Sequence, residues 1–301
     1  MNGISYEHDL AHAGVAWRAG LAAPLSLASR TPARLLLVTG IGASEGVACC
    51  LAGFLRAQGW NRCRFIPADE LLQQPTPSSS LLLISAGASH LDTTQLLQTA
   101  GNQPVTVISC RSQADFERAL GRPLPPNWRW IAAAEPSSAT AAFVPAAKAV
   151  SCLAAGLSAF GGKAIAAKAA DLWSDATAAL QATSIGSRCE RLHILAFPGG
   201  RAAAYDLQNR LLELGGLISI LHEPLGFAHG QYRALEGSPA RTTKLVAFIA
   251  ASDQLSWTWL RSSLPQTIQT FAIQTSHQGW MAEVTLLLSS IQAPALLLGA
   301  K

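Results

Sequence analysis

The sequence predicts an α/β protein built from two Rossmann-like halves, each a parallel sheet flanked by helices. Three observations predict it. Short segments such as Leu81–Ser85 are apolar along their whole length, as strands buried on both faces are. Amphipathic stretches of helical period alternate with them, and loops of small residues join the two kinds of segment. Such alternation argues for parallel strands linked by crossover helices.

In chain order, residues 5–27 read as a helix leading into a first strand, Arg34–Thr39. Gly40 to Gly46 turn the chain, and Val47–Ala57 continue as a helix. A second strand, Leu81–Ser85, is followed by a small-residue loop and a helix from about Thr93 to Ala100. Val105–Cys110 and Trp130–Ala134 are two further strands. From Thr140 to about Thr183 the chain is Ala-rich and helical, with an interruption expected at Gly161-Gly162 because glycine weakens a helix interior. Strand, loop and helix then recur as Leu192–Phe197, Pro198–Arg201 and Ala202–Gly215. Leu217–Leu221, Lys244–Ile249 and Gln269–Ile273 follow as strands, and Gln278–Gln292 closes as a helix. The halves therefore read as a divergent duplication of one α/β unit.

Composition narrows the function classes. The 301 residues are half hydrophobic and only 13% charged, so a sizeable core is expected. The net charge of +4 is not gathered into any Lys/Arg run, which argues against a nucleic-acid surface. No uninterrupted apolar run reaches the roughly 18 residues of a membrane span, and the first residues lack the basic and apolar regions of a signal peptide. Six cysteines (Cys49, Cys50, Cys63, Cys110, Cys152, Cys189) show no CxxC spacing and mostly sit in apolar segments. That pattern suits a reducing cytoplasm without metal or disulfide.

The first glycine loop, Gly40-Ile-Gly42-Ala-Ser44-Glu-Gly46, admits several readings. As a dinucleotide fingerprint its spacing is GxGxxxG, and no acidic residue follows at the distance that ribose recognition uses. As a nucleophile elbow, Gly42-Ala-Ser44-Glu-Gly46 matches GxSxG but follows the first strand rather than a later one. As a phosphate cradle, backbone amides at a helix N-terminus would receive the anion and Ser44 would add a hydroxyl. It also reads as a tight turn whose glycines serve close helix packing.

The order of motifs along the chain resembles the sugar isomerase (SIS) domain family in its double-domain phosphosugar isomerase form. That family ends its first strand in Gly-x-Gly-Thr-Ser, matched here by Gly40, Gly42, Ala43 and Ser44. Its second strand ends in Ser-x-Ser-Gly-x-Thr-x-Asp-Thr, with which Ser85-Ala-Gly87-Ala-Ser89-His90-Leu-Asp92-Thr93 aligns without gaps. A Val-Ala-Ser-Thr-Lys-Ala-Phe segment resembles Ser137-Ser-Ala-Thr140-Ala-Ala-Phe143. In the second half, Lys-x-x-Glu followed sixteen residues on by His-Gly-Pro resembles Arg210-Leu-Leu-Glu213 and His229-Gly230-Gln231. The resemblance implies an N-terminal helical segment at 1–30, a first SIS domain at 31–160, a linking helix at 161–185 and a second SIS domain at 186–301. It implies phosphate binding by Gly42, Ser44, Ser85, Gly87, Ser89, His90 and Thr140. Gly87 and His90 depart from the family pattern, standing where it has serine and threonine.

Aldose–ketose isomerisation opens the sugar ring and then moves a proton between C1 and C2 through a cis-enediol or enediolamine. Ring opening suits a histidine, which donates and accepts near neutral pH. A base for the weakly acidic C2 proton must reach it by a hydrogen bond within a partly desolvated pocket. By the resemblance Glu213 is that base and His229 the ring opener, with Arg210 on the same helix face to hold the carboxylate or the enediolate. Beside this stand ordinary readings, in which Glu213 is an exposed helix-end carboxylate and His229 ends a turn. His222 and Glu223, before Pro224, read as a polar pair shaping the loop. Asp206, Arg201 and Arg233 read as substrate or interface contacts.

The expected function is thus isomerisation of a sugar phosphate or amino-sugar phosphate. The alternatives are a non-catalytic regulator that binds the same ligand, a deglycase or deaminase cleaving an amine-linked sugar phosphate, and a hydrolase using Ser44. No cofactor and no metal is expected. The expected partners are a small sugar phosphate and a second copy of the chain, with neither nucleic acid nor membrane, and the expected compartment is the cytoplasm.

Overall fold

The computed structural model describes residues 6–23, 34–73, 78–87, 91–134, 145–185, 189–215, 217–236, 243–266 and 268–298. The chain divides into two compact units, Met1–Ala170 and Asp171–Lys301.

Unit 1 opens with helix α1 (Tyr6–Ala22) and then alternates β1 (Leu36–Gly40), α2 (Ser44–Ala57), β2 (Cys63–Phe65), α3 (Ala68–Gln73), β3 (Ser80–Ile84), α4 (Leu91–Thr99), β4 (Val105–Ser109), α5 (Gln113–Leu120) and β5 (Trp128–Ala132). The strands form one parallel sheet in the order β2-β1-β3-β4-β5. Strands β1 and β3 bury almost every residue, which is why they read as unbroken apolar runs. One face packs Leu37, Leu81, Leu83, Val105 and Val107 against Leu96, Leu97 and Phe116 of α4 and α5.

The long helix α6 (Ala146–Ala169) belongs to unit 1 and bends at the glycine pair, where Gly162 takes φ +67°. A left-handed residue costs glycine little and other residues more, so the interruption expected at Gly161-Gly162 has a backbone cause. Helix α1 serves both halves of the bent helix. Pro145 before α6 offers no side-chain cap, and the Asp9 carboxylate of α1 accepts from the Ala146 and Ala147 amides instead, at 2.6 and 3.0 Å. The Trp17 Nε1–H then donates to the Ala169 carbonyl at 3.1 Å.

Unit 2 begins with α7 (Leu172–Ala182), so residues 161–185 are shared between the units. It continues with β6 (Arg191–Leu195), α8 (Arg201–Leu214), β7 (Ile218–His222), the short turns α9 (Pro224–Gly226) and α10 (Arg233–Glu236), β8 (Thr243–Ile249), α11 (Gln254–Ser263), β9 (Gln269–Gln274) and α12 (Trp280–Leu298). Its parallel sheet runs β7-β6-β8-β9. This repeats the order of the first four strands of unit 1, as the duplication predicts. The faces of β6 are plain from its neighbours. Leu192, Ile194 and Ala196 pack with Ala203, Leu207, Leu211 and Leu286, while Leu195 and Phe197 pack with Phe227, Trp257 and Leu260.

Helix α12 extends past its expected end at Gln292, through Pro294 to Leu298. Proline removes one helical hydrogen bond, and burial of Leu286 to Pro294 offsets that loss. Helices α6 and α12 are long and apolar enough to cross a membrane by composition alone, and 67% and 72% of their most apolar windows are buried within the protein. Their apolarity is that of core helices.

Candidate functional site

In an open parallel sheet, ligands bind beyond the carboxyl ends of the strands where the strand order reverses. In unit 1 that point lies between β1 and β3, and in unit 2 between β6 and β8. The two points are built differently.

At the unit 1 point, Gly40 ends β1 in a space too tight for any side chain, since a Cβ there would overlap the Ser44 carbonyl. Gly42 turns with φ +56°, and Ser44 begins the 14-residue helix α2. The nearly buried Ser44 hydroxyl accepts from the Ala86 amide at 3.3 Å, tying the β1 loop to the β3 loop. Ser85, also buried, shares a hydrogen bond with the Thr93 hydroxyl at 3.3 Å. The structure therefore sets the β1 loop, with Gly42 and Ser44, against the β3 loop, with Ser85 and half-buried Gly87, at the start of a helix. Ser89, His90 and Thr140 lie outside the described residues.

At the unit 2 point the tie has the opposite polarity. The Gly199 amide donates to the Asp253 carboxylate at 3.0 Å, and Gly199 has no room for a side chain between Ala250 and Asp253. Burial raises the Asp253 pKa, and the Gly199 and Ala250 amides pull it back. A cavity of about 430 Å³ beside it is lined by Gly199, Ala250, Ser252, Gln278, Gly279 and Glu283. Where unit 1 offers hydroxyls, unit 2 already holds an acidic group of its own.

Glu213 lies half-buried in the last turn of α8. Arg210, one turn earlier, is fully buried and donates from Nε to both Asp206 oxygens, at 3.0 and 2.8 Å. Asp206 also accepts from Ser290 of α12 at 2.8 Å. Burial raises the Asp206 pKa against the pull of Arg210 and Ser290. The Arg210 guanidinium has no exposed surface, and through Asp206 it ties α8 to α12. Asp206 is fully buried as well.

His229 is exposed, in a π-helical turn, Phe227–Gln231, that bends where Gly230 takes φ +123°. That turn follows the carboxyl end of β7, whereas Glu213 precedes its amino end. The five residues of β7 span about 13 Å at ~3.3 Å per residue, while a catalytic hydrogen bond reaches about 3 Å. Within one chain the two residues therefore stand at opposite ends of the sheet. Sequence spacing alone could not reveal this separation.

Around the turn lie residues that sequence reasoning missed or undervalued. His193 Nδ1 and His222 Nε2 are 2.8 Å apart, and His222 Nδ1 is 3.1 Å from Gln231 Oε1. Arg201 bonds Glu223 at 2.9 Å on the surface. An apolar cleft of about 690 Å³ opens beside them, lined by Phe197, Pro198, Pro224, Leu225, Leu255 and Trp259 among others. The one signal for His193 was a polar residue inside an apolar strand.

Two parallel α/β units that share the order of four strands, in tandem, have the architecture of the double SIS phosphosugar isomerases, and solved structures bear this out for the fold. Tagatose-6-phosphate ketose/aldose isomerase from Escherichia coli is 17% identical, with a TM-score of 0.69 over 96% of this chain and 92% of its own. The C-terminal domain of glucosamine-fructose-6-phosphate aminotransferase from Francisella tularensis is 13% identical, with a TM-score of 0.64 over 96% and 94%. Glucosamine-6-phosphate deaminase from Thermotoga maritima is 13% identical, with a TM-score of 0.61 over 94% and 93%. No protein-family model matches the chain, and no curated protein matches it by sequence.

Proposed function

We propose that this chain is a sugar-phosphate or amino-sugar-phosphate aldose–ketose isomerase. The observation that carries the proposal is the asymmetry of the two switch points. Unit 1 has small residues and the N-terminus of a 14-residue helix at its switch point, which suit an anion, with the Ser44 and Ser85 hydroxyls buried just behind them. At the same place in unit 2 Asp253 takes the Gly199 amide, and a second negative charge there is disfavoured.

Glu213 is the base that moves the proton between C1 and C2, and its half-buried place is compatible with a carboxylate of raised basicity in a closed site. His229 opens the ring. Because the two stand at opposite ends of β7, one substrate is served by Glu213 of one copy and His229 of a second copy. This makes a dimer, in the cytoplasm, part of the proposal. The opening and enolisation steps are shared with cleavage of an amine-linked sugar phosphate, which differs in its leaving group.

The test is solvent proton exchange. In deuterated buffer a panel of sugar phosphates is expected to incorporate deuterium at C2, and Glu213→Gln to slow this by about 10²–10⁴. Undiminished exchange in the variant would remove Glu213 from the role of base. A second reading, a sugar-phosphate-binding regulator, is favoured by Gly87, which provides no hydroxyl where the family pattern has one. Binding of a sugar phosphate without exchange would establish that reading instead.

A further inference from the structure

We infer that His222 is a positioning residue, locked into one tautomer by Gln231 and His193, and that this chain of three side chains sets the turn that presents His229. The inference rests on the isomerase proposal for what His229 does, but not for how the turn is held.

The turn follows β7, the edge strand of its sheet, so among the described residues no strand flanks it from outside. His193 on β6 pairs with Ile220, and His222, two residues on, is its diagonal neighbour on the same face. That face also carries Leu195 and Phe197. The two imidazoles lie 7° from parallel with centroids 5.0 Å apart, and the buried Phe227 ring packs on His222 at 5.0 Å. His222 is thus touched by β6 on one side and by both ends of the turn, Phe227 and Gln231, on the other.

The protons can be placed. Gln231 Oε1 can only accept, so His222 Nδ1 carries the hydrogen. In a neutral ring Nε2 is then an acceptor, and His193 Nδ1–H is its donor. Neutrality is what the surroundings favour. Burial, then the His222 and Arg191 charges, lower the His193 pKa from 6.5 to about 4. Burial also lowers that of His222, against a smaller pull from Gln231. Loss of the Gln231 acceptor would free His222 to move its proton to Nε2, so that the bond to His193 must reverse or break, and in either case the turn loses its tie to His222 through Gln231. His229, two residues from Gln231, would lose its placement without losing its own chemistry.

The experiment uses the full chain with 15N-labelled histidine at pH 7.5, comparing wild type, Gln231→Leu and Gln231→Glu. Gln231 is exposed, so neither substitution empties the core. Wild type is expected to show His222 as the Nδ1–H tautomer. Gln231→Leu is expected to shift it toward Nε2–H, move the His229 signals, and lower kcat for exchange about tenfold or more with KM within about twofold. Gln231→Glu, which keeps an acceptor in place, is expected to keep the Nδ1 proton. The inference is overturned if wild-type His222 carries its proton on Nε2, or if Gln231→Leu leaves the tautomer and the His229 signals unchanged. A wild type that exchanges no sugar phosphate defeats the isomerase proposal alone, since the imidazole spectra still decide whether the chain holds the turn.

Discussion

His193 is the residue whose protonation state the fold most clearly controls. It is 4% exposed, and its pKa falls from 6.5 to about 4 under burial, His222 and Arg191. Because the folded pKa is depressed, the unfolded chain binds the proton first as pH falls. Stability is then full above about pH 6.5 and declines as pH drops from 6.5 toward 4. Urea melts at pH 7.5 and pH 5 are expected to show a lower midpoint at pH 5 in wild type and a smaller difference in His193→Asn. An unchanged difference would show that other groups carry the acid sensitivity. Asp206 and Arg210 show the same dependence on surroundings. Full burial makes their ion pair part of the packing between α8 and α12, where the spacing of Arg210 and Glu213 on one helix had suggested chemistry.

Among the elements, α6 depends on a partner outside itself. Its first two amides are capped by Asp9 of α1, since Pro145 cannot cap them. Asp9→Ala would leave two buried donors unsatisfied, and we expect a loss of about 2–3 kcal/mol by urea denaturation, with Asp9→Asn losing less. A change below about 0.5 kcal/mol would mean that water or a backbone shift replaces the cap. Strand β7 poses the contrasting case. The two candidate catalytic residues lie beyond its two ends, so its length keeps them apart as much as its position in the sheet orders them.

For the whole molecule, the separation of Glu213 from His229 leads to a mixing experiment. Glu213→Gln and His229→Asn chains, each inactive alone, are to be unfolded together and refolded. If each site takes Glu213 from one copy and His229 from another, a mixed dimer has one site with both substitutions and one with neither. With random pairing about half of the dimers are mixed, so about a quarter of wild-type exchange is expected to return. No recovery would place both residues in a site within one copy, and would require the turn to reach past the length of β7.

Much of the fold was legible because its signals are local. A strand buried on both faces must be apolar throughout, a helix must break where glycine adopts a left-handed backbone, and a loop between strand and helix must be small. Leu81–Ile84, Gly162 and Gly42 each show this. The shorter, more polar elements β2, α3, α5 and α11 gave no apolar run to read, although α5 carried a cap signal in Ser112, which accepts from the Asp115 amide, and in left-handed Gly121. The duplication of one α/β unit and the candidate residues Ser44, Ser85, Glu213 and His229 were likewise nominated by the sequence, while the strand order was not. What only the tertiary structure decided was which side chains meet: Arg210 with Asp206, Gly199 with Asp253, His193 with His222. Strand register and helix packing set those encounters across 4, 54 and 29 residues of chain, and even the closest of them depends on burial. The sequence by itself therefore determined the architecture and nominated the chemistry, while the length of one strand decided that its two candidate groups stand apart.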